Sequence, residues 1–258
     1  MSRMAIDMNS DLGEGFGAWS MGDDSAVLAS VSSANVACGY HAGDPSIMRK
    51  TVKLCADRGV AVGAHVSYPD LAGFGRRNMA CSPDEVYDCC LYQIGALDAF
   101  CGAQGVKLQH VKPHGALYNQ AAKERRLADA VARAVRDAGG GLILMGLAGS
   151  EFGPAADEAG VRFASEAFAD RAYLKDGSLM PRSREGAVIH NAALAARRVV
   201  RMATQGIVTA DDGTDVRFRP DTICLHGDTA EAVEMAAAVR RALESAGVEV
   251  KPLREVPL

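Results

Sequence analysis

The stretch at residues 32–45, SSANVACGYHAGDP, passes from a strand into a helix and places a histidine between the two. Its first half is apolar like a buried strand, and Gly39 breaks that pattern. Asp44 and Pro45 then supply the N-cap and the first position that are typical of a helix start. The helical pattern ends at Gly59, and the next apolar run begins at once. The stretch therefore predicts a unit of strand, short polar connection and helix, which is the unit of α/β folds.

The same unit recurs along the chain and predicts the fold. Apolar runs that indicate strands cover residues 4–9, 34–38, 60–65, 108–112, 142–145, 161–165 and 222–225. Further helix starts are indicated by the capping box at residues 82–85 (SPDE) and by Asp228 with Glu231 three residues later. About seven such units favour a single domain over residues 1–258, built as a seven-stranded (β/α) barrel, with an open doubly wound sheet as the alternative. Residues 207–218 alternate in polarity and turn at Asp212-Gly213, which predicts a small β-hairpin inserted before the last core strand.

Composition and charge exclude several classes of protein. Lys and Arg number 28 against 32 Asp and Glu, so the clustered basic charge of a nucleic-acid-binding protein is not expected. No apolar run approaches the length of a membrane span, and the first residues lack the pattern of a secretory signal. The seven cysteines are odd in number and form no C-x-x-C pair, which indicates reduced thiols in the cytoplasm. A zinc site between Cys81 and Cys101 is disfavoured because these cysteines fall mostly on one predicted helix.

Polar side chains stand at the end of nearly every predicted strand. In chain order these are Asn9, Asp11 and Glu14; His41; His65, Arg76 and Arg77; Lys112 and His114; Glu166 and Arg171; and His226. The carboxyl ends of parallel strands lie on one face of a barrel, so we expect these side chains to meet in one mouth. A single histidine in such a loop is more often bonded to the backbone, but four histidines beside carboxylates favour an active site. His110 and His190 fall outside this pattern.

Six segments of the chain resemble the LamB/YcsF family. They are residues 7–17 (DMNSDLGEGFG), 33–45 (SANVACGYHAGDP), 63–77 (GAHVSYPDLAGFGRR), 111–119 (VKPHGALYN), 166–173 (EAFADRAY) and 223–228 (ICLHGD). They occur in order and span nearly the whole chain. The resemblance implies a seven-stranded (β/α) barrel similar to the glycoside hydrolase/deacetylase superfamily. It also implies ATP-dependent opening of 5-oxoproline to L-glutamate, performed together with partner subunits B and C.

That activity suggests that the subunits carry out different steps of the reaction. A γ-lactam closes spontaneously, so opening it requires coupling to ATP hydrolysis. The GEGFG loop at residues 13–17 lacks the lysine and the Ser/Thr of a phosphate-binding loop, so the resemblance implies that ATP is bound largely by the partners. This subunit would then handle the activated ring. In that reaction the candidates for acid–base catalysis are Asp11, Glu14, His41, His65 and His114, and those for substrate binding are Asn9, Arg76, Arg77, Lys112, Glu166, Arg171 and His226.

Two other functions fit the same residues. An aspartate with two or three histidines at barrel strand ends is also typical of a divalent-metal site, which would suit a metal-dependent hydrolase or deacetylase acting on a sugar or an amide. The third function is a non-catalytic subunit that presents a ligand to other chains. The sequence leaves open whether a metal is bound.

Overall fold

The computed structural model describes residues 4–225 and 230–258, and its strands form a closed parallel barrel. The strands are β1 (Met4–Leu12), β2 (Ser33–Ala37), β3 (Ala61–Val66), β4 (Leu108–Pro113), β5 (Ile143–Leu147), β6 (Arg162–Phe168), β7 (Ile207–Thr209), β8 (Asp215–Arg217), β9 (Thr222–Cys224) and β10 (Val248–Val250). Strands β1 to β6 pair in sequence, and β9 pairs with both β6 and β1. The predicted seven-stranded barrel is therefore confirmed, and the open sheet is wrong because β9 closes the ring.

Helices cover the outside of the barrel. They are α1 (Asp24–Val27), α2 (Pro45–Arg58), α3 (Pro83–Ala103), α4 (Gly115–Ala121), α5 (Arg125–Ala138), α6 (Phe152–Ala159), α7 (Ala192–Gln205) and α8 (Ala230–Ser245). The carboxylate of Asp44 accepts hydrogen bonds from the amides of Ser46 and Ile47, and Gly59 ends α2 in the left-handed conformation. The capping box of α3 is also formed, so both predicted helix starts are confirmed. The start predicted at Asp228 lies outside the described residues.

Two strands run further than predicted, and this changes where the polar residues lie. β1 continues to Leu12 because Asp11 pairs with Asn35 of β2, and β6 continues to Phe168 because its last residues pair with β9. Asp11 and Glu166 therefore project from strands and do not follow them. The barrel holds them more rigidly than a loop would.

The last quarter of the chain adds two features beyond the barrel. β7 and β8 form the predicted antiparallel hairpin. β10 pairs in parallel with the first residues of β1, outside the ring of seven strands, and sequence analysis did not predict it. The turn that follows buries Leu253 against Ile143 and Met145 of β5, at the amino end of the barrel.

The predictions on the cysteines and on membrane spans can also be compared with the structure. All seven cysteines carry free thiols. Within the described residues no helix is both long and apolar enough to cross a bilayer.

Candidate active site

A cavity opens at the carboxyl ends of the barrel strands. Its volume is about 410 Å³, within the range of small-molecule sites. Of the predicted site residues, it is lined by Asp11, Glu14, His65, Arg76, Lys112, His114 and Arg171. His41, Asn9 and Glu166 are buried directly behind this lining. The structure thus brings together most of the side chains that the strand-end argument selected.

Three imidazoles and one carboxylate form the centre of the site, and we call His41, His65 and His114 the imidazole cluster. Glu14 Oε1 lies 3.3 Å from His41 Nε2, 3.6 Å from His114 Nδ1 and 4.0 Å from His65 Nε2. Asp11 Oδ2 lies 3.3 Å from His65 Nε2. Each of the three histidines comes from a different strand end, so the barrel closure fixes their separation.

Backbone carbonyls determine which ring nitrogens carry protons. His65 Nδ1 is 3.0 Å from the carbonyl oxygen of Lys112, and His114 Nε2 is 2.9 Å from that of Phe74. A carbonyl oxygen only accepts, so both of these nitrogens donate. The opposite nitrogens, His65 Nε2 and His114 Nδ1, then present lone pairs to each other at 3.0 Å. Two facing lone pairs beside two carboxylates are stabilised by a positive charge between them, which a shared proton or a metal ion supplies.

His41 occupies a different position in the cluster. Its ring stacks on His114 at a centroid distance of 3.9 Å. Its Nε2 faces Glu14, whereas its buried Nδ1 has no hydrogen-bond partner among the described residues. Burial, with the neighbouring imidazoles, holds the pKa of His41 and of His114 well below the ordinary histidine value. Both rings are therefore neutral near pH 7.

The connection after β3 covers the cluster, and Gly75 makes the close approach feasible. Its φ is +63°, and a Cβ there would lie 2.8 Å from His114 Cδ2 and 2.8 Å from His41 Cβ. Both the conformation and the space require glycine. The neighbouring Phe74 carbonyl is thereby held where it orients His114.

Lys112 is the buried cation of the cavity floor. Its Nζ lies 2.8 Å from Glu166 Oε1, 3.1 Å from Asp11 Oδ1 and 3.2 Å from Asn9 Oδ1. Burial alone would lower its pKa, but the neighbouring negative groups, Asp11 first, outweigh burial and hold the pKa well above the ordinary lysine value. Lys112 is therefore a fixed positive charge that is balanced by carboxylates.

Several polar residues that sequence reasoning missed support this floor. Tyr118 donates to Glu166 at 2.7 Å, and Asn35 donates to Asp11 at 2.8 Å. His110 bonds Asn35 one layer deeper, and burial lowers its pKa to about 3, so it is a neutral structural residue. Tyr118 lies one helical turn after His114, and Asn35 interrupts an apolar strand. Both positions could have been recognised in the sequence as candidates for the site.

The three arginines predicted to bind substrate have different contacts. Arg76 lines the cavity with its guanidinium over the Phe74 ring, whereas Arg77 pairs with Asp70 and is not part of that described lining. Arg171 is buried and donates to the carbonyl oxygens of Met180 and Ala187. The predicted contact of His226 lies outside the described residues.

Two further cations line the mouth, Lys123 and Arg182. Sequence reasoning missed them because it considered only residues close to strand ends. Lys123 follows the short helix α4, and Arg182 lies in the long connection between β6 and α7. A connection of that length without a helix or strand of its own is a signal of function.

The GEGFG loop is not arranged to hold phosphates. The amide of Gly13 donates to Asp24, and the amide of Gly17 donates to Asp44. These donors are therefore occupied by carboxylates, whose charge would repel a nucleotide.

Glu14, His41, His65 and His114 could hold a metal ion, since each places one donor atom within 4.8 Å of the others. Imidazole nitrogen and carboxylate oxygen are ligands of zinc and related divalent ions. The two backbone carbonyls bonded to His65 and His114 also match the usual support of metal-binding histidines. The donor set therefore fits a divalent cation.

Comparison with known proteins assigns the family. The model of the LamB/YcsF family matches residues 6–257. This chain belongs to the LamB/YcsF family. It is 53% identical over 250 residues to the A component of 5-oxoprolinase from Bacillus subtilis (strain 168), covering 97% of each chain. The solved lactam utilization protein of Thermus thermophilus is 51% identical, with a TM-score of 0.91, covering 96% of this chain and 99% of that one.

The fold of this LamB/YcsF chain is shared more widely. A deacetylase solved with its substrate superposes with a TM-score of 0.50 at 12% identity, covering 98% of this chain and 90% of the other. At that identity the likeness concerns the fold alone. It agrees with the expected relation to the deacetylase type of barrel.

Proposed function

We propose that this chain is the ring-opening subunit of an ATP-dependent 5-oxoprolinase, which converts 5-oxo-L-proline to L-glutamate with partner subunits B and C. One observation carries the proposal. The chain belongs to a family whose similar members are named as the A component of 5-oxoprolinase, and its carboxylates and imidazoles converge on one ligand-sized cavity. The name of the relatives indicates that further subunits exist.

The reaction divides into three balanced steps. A partner transfers the terminal phosphoryl group of ATP to the lactam oxygen and releases ADP. Water then adds to the ring carbon, the C–N bond breaks and the nitrogen takes a proton, which leaves γ-glutamyl phosphate. A second water cleaves the acyl phosphate to L-glutamate and phosphate.

Named residues suit the two hydrolytic steps. Asp11 lines the cavity and can take the proton of the attacking water and return it to the departing nitrogen. Arg76 and Arg171 are placed to hold the substrate carboxylate, since Arg77 is engaged by Asp70. The carboxylate-bonded amides of the GEGFG loop support ATP binding by the partners. The demand for ATP and the free thiols favour the cytoplasm.

We assign a divalent cation to Glu14, His65 and His114, because the facing lone pairs of the two histidines need a positive charge. His41 is not part of this set. Coordination through its Nε2 would force a proton onto Nδ1, which has no acceptor within the described residues. A cation there would supply Lewis acidity that stabilises the oxygen atoms around the reacting carbon. His41 instead donates to Glu14 and keeps that carboxylate in place.

A reconstitution assay tests the proposal. Glutamate release from 5-oxoproline and ATP should require this chain together with subunits B and C, and the chain alone should show little turnover. His114→Asn should lower turnover by about a hundredfold or more, because the assigned cation loses one of its ligands. His190→Gln, at an exposed histidine away from the cavity, is the matched control and should leave turnover unchanged. Normal turnover of the His114 variant would favour the ligand-presenting subunit.

The same facing lone pairs favour a second candidate, a metal-dependent amide or sugar hydrolase that acts alone. It would hydrolyse an acetamide or acetylated sugar in the presence of zinc or manganese and without ATP. Activity of that kind, with no glutamate release by the reconstituted complex, would replace the first proposal.

A further inference from the structure

One side of the cavity is apolar, and it lies across the barrel from the imidazole cluster. Phe168 at the end of β6, together with Leu179 and Met180 in the connection to α7, lines this side, and we call these three residues the apolar wall. The cluster and Glu14 come from the ends of β1 to β4. In the closed ring of seven strands, β6 stands opposite the middle of that arc, so the wall faces the assigned cation ligands.

Hydrogen bonds hold the apolar wall in place. The amide of Met180 donates to the carbonyl of Ala172 at 2.9 Å, and the carbonyl of Met180 accepts from the guanidinium of Arg171 at 2.6 Å. The amide of Phe168 donates to the hydroxyl of Tyr173 at 2.8 Å. Phe168 and Met180 are nearly fully buried. The wall is therefore part of the fixed frame of the cavity.

The wall adjoins the groups that the proposed reaction assigns to the polar parts of the substrate. Lys112 Nζ lies 5.5 Å from the centre of the Phe168 ring and 3.1 Å from Asp11 Oδ1, so the wall begins one side chain away from the carboxylate that handles protons. At its other end, Met180 is bonded to Arg171, a candidate for holding the substrate carboxylate. A small ligand that reaches both Asp11 and Arg171 therefore lies along the wall.

5-Oxoproline has a matching division of its surface. Its carbonyl, its nitrogen and its carboxylate occupy one edge of the ring, and its two methylenes form the opposite edge. The carboxylates and imidazoles across the cavity suit the first edge, and the apolar wall suits the second. Each methylene that is buried against apolar side chains favours binding by about fourfold.

We propose that the apolar wall determines specificity for the ring, because it packs on the two methylenes and thereby turns the amide edge of the lactam towards Asp11 and the assigned cation. The inference rests on the proposed function, since it names the surface that selects the lactam of that reaction. The substrate carboxylate stays with Arg76 and Arg171. The wall supplies the contact for the carbon edge of the ring.

Calorimetry on this chain with two matched ligands tests the wall without turnover. The ligands are 5-oxo-L-proline and N-formylglycine, which keeps the amide and the carboxylate but lacks the two methylenes. The variant Leu179→Asn, Met180→Gln keeps the side-chain shapes and makes the wall polar. It should bind 5-oxo-L-proline about tenfold more weakly, and its affinity for N-formylglycine should change by no more than about threefold. The parent should bind 5-oxo-L-proline more tightly than N-formylglycine.

The chain offers a control with the same two substitutions. Met21 and Leu194 are exposed and are not part of the described cavity lining. The variant Met21→Gln, Leu194→Asn should therefore bind both ligands like the parent. If the wall variant does not fold, Leu179→Asn alone, at a half-buried position, gives the same comparison with an expected loss of about fourfold.

Three results would overturn the inference. An unchanged affinity of the wall variant for 5-oxo-L-proline would mean that the ring does not contact the wall. An equal loss for both ligands would mean that the substitutions distort the whole cavity. A parent that binds neither ligand, or binds both equally, would show that the wall does not select the ring. Because binding is measured on this chain alone, a failure of glutamate release in reconstitution would count against the proposed function and leave this result readable.

Discussion

His65 and His114 differ from His41 in one respect that decides their chemistry, which is the carbonyl behind each ring. A carbonyl acceptor fixes the tautomer and turns the other nitrogen into a directed lone pair. His65 and His114 both have this partner, and the described surroundings of His41 provide none. We therefore expect three histidines of similar burial to differ in cation binding.

Cation binding should separate these histidines. After treatment with a chelator, titration with zinc or manganese should show one site per chain in the parent and in His41→Gln. His65→Gln should lose that site, because the imidazole lone pair and the hydrogen bond that orients it on the Lys112 carbonyl are both removed. Metal analysis and calorimetry measure this without any assay of turnover. Loss of the site in His41→Gln but not in His65→Gln would reverse the ligand assignment.

Asp7 is a buried acid outside the cavity lining, and we expect it to affect stability and not catalysis. It accepts from the hydroxyls of Ser32, Ser33 and Thr222, yet burial raises its pKa to about 6. The unfolded value is about 3.9. The folded state therefore binds the proton more tightly, and this contribution to stability is full below about pH 4 and is lost as the pH rises to about 6.

Substitution of Asp7 isolates its contribution to the pH dependence of stability. The free energy of unfolding of the parent minus that of Asp7→Asn should fall as the pH rises from about 4 to about 6, and should be flat above that range. Urea denaturation at several pH values measures it. A difference that rises over the same interval would mean that the native carboxylate is stabilised by its three hydroxyl donors more than burial disfavours it.

Among the elements, the connection between β3 and α3 has the greatest effect on the site. It supplies the carbonyl of Phe74, the close approach of Gly75 and the guanidinium of Arg76 within three consecutive residues. Asp70 anchors it by accepting from Gly73 and from Arg77. The connection is therefore a rigid cover whose backbone positions the imidazole cluster.

Gly75→Ala tests that role. Its Cβ would collide with His114 and His41 at a positive φ, so cation affinity and turnover should both fall by about tenfold or more. Gly95→Ala is the control, because that helical glycine has open space around its Cβ position and alanine favours the helix. Thermal unfolding and metal titration of both variants measure the effect. Unchanged metal affinity in Gly75→Ala would mean that the cover adjusts freely.

At the scale of the whole molecule, the two ends of the barrel have separate tasks. The carboxyl ends carry the cavity, and the amino ends are filled by the chain's last turn. Leu253 is fully buried there, and Arg254 donates to the carbonyl of Leu108 at the start of β4. We therefore expect the geometry of the mouth not to depend on side chains at the amino end.

Leu253→Ala should cost about 2–5 kcal/mol in the free energy of unfolding, as expected for a cavity in a buried core. Leu258→Ala, at an exposed terminal residue, should cost little. Cation binding should be equal in both variants at a temperature where both are folded. A weakened cation site in Leu253→Ala would show that the two ends are coupled.

Sequence periodicity predicted the barrel because its strands are continuous apolar runs separated by well-capped helices, as at Asp44 and Ser82. The same continuous apolar pattern hid the polar residues that lie inside the barrel. When both faces of a strand are buried, a residue such as Asn35 or His110 gives no alternating pattern that would reveal its direction. Lys123 and Arg182 reach the mouth through a helix end and a long connection, whose paths depend on tertiary packing. Reasoning from strand ends therefore identified the carboxylates and histidines of the site but missed two of the cations that line its mouth.

The closure of the barrel by β9 also sets an order of assembly during synthesis. Asn9 bonds Thr222 across 213 positions of sequence, and it bonds Glu166 across 157. The imidazole cluster, in contrast, needs only the chain up to His114. A growing chain could gather its three histidines when it is less than half made, while β1 and β4 still expose open strand edges. Contacts this distant form slowly, so the nascent protein is open to mispairing until its final barrel strand emerges from the ribosome, and the same event encloses Lys112 with its balancing acids.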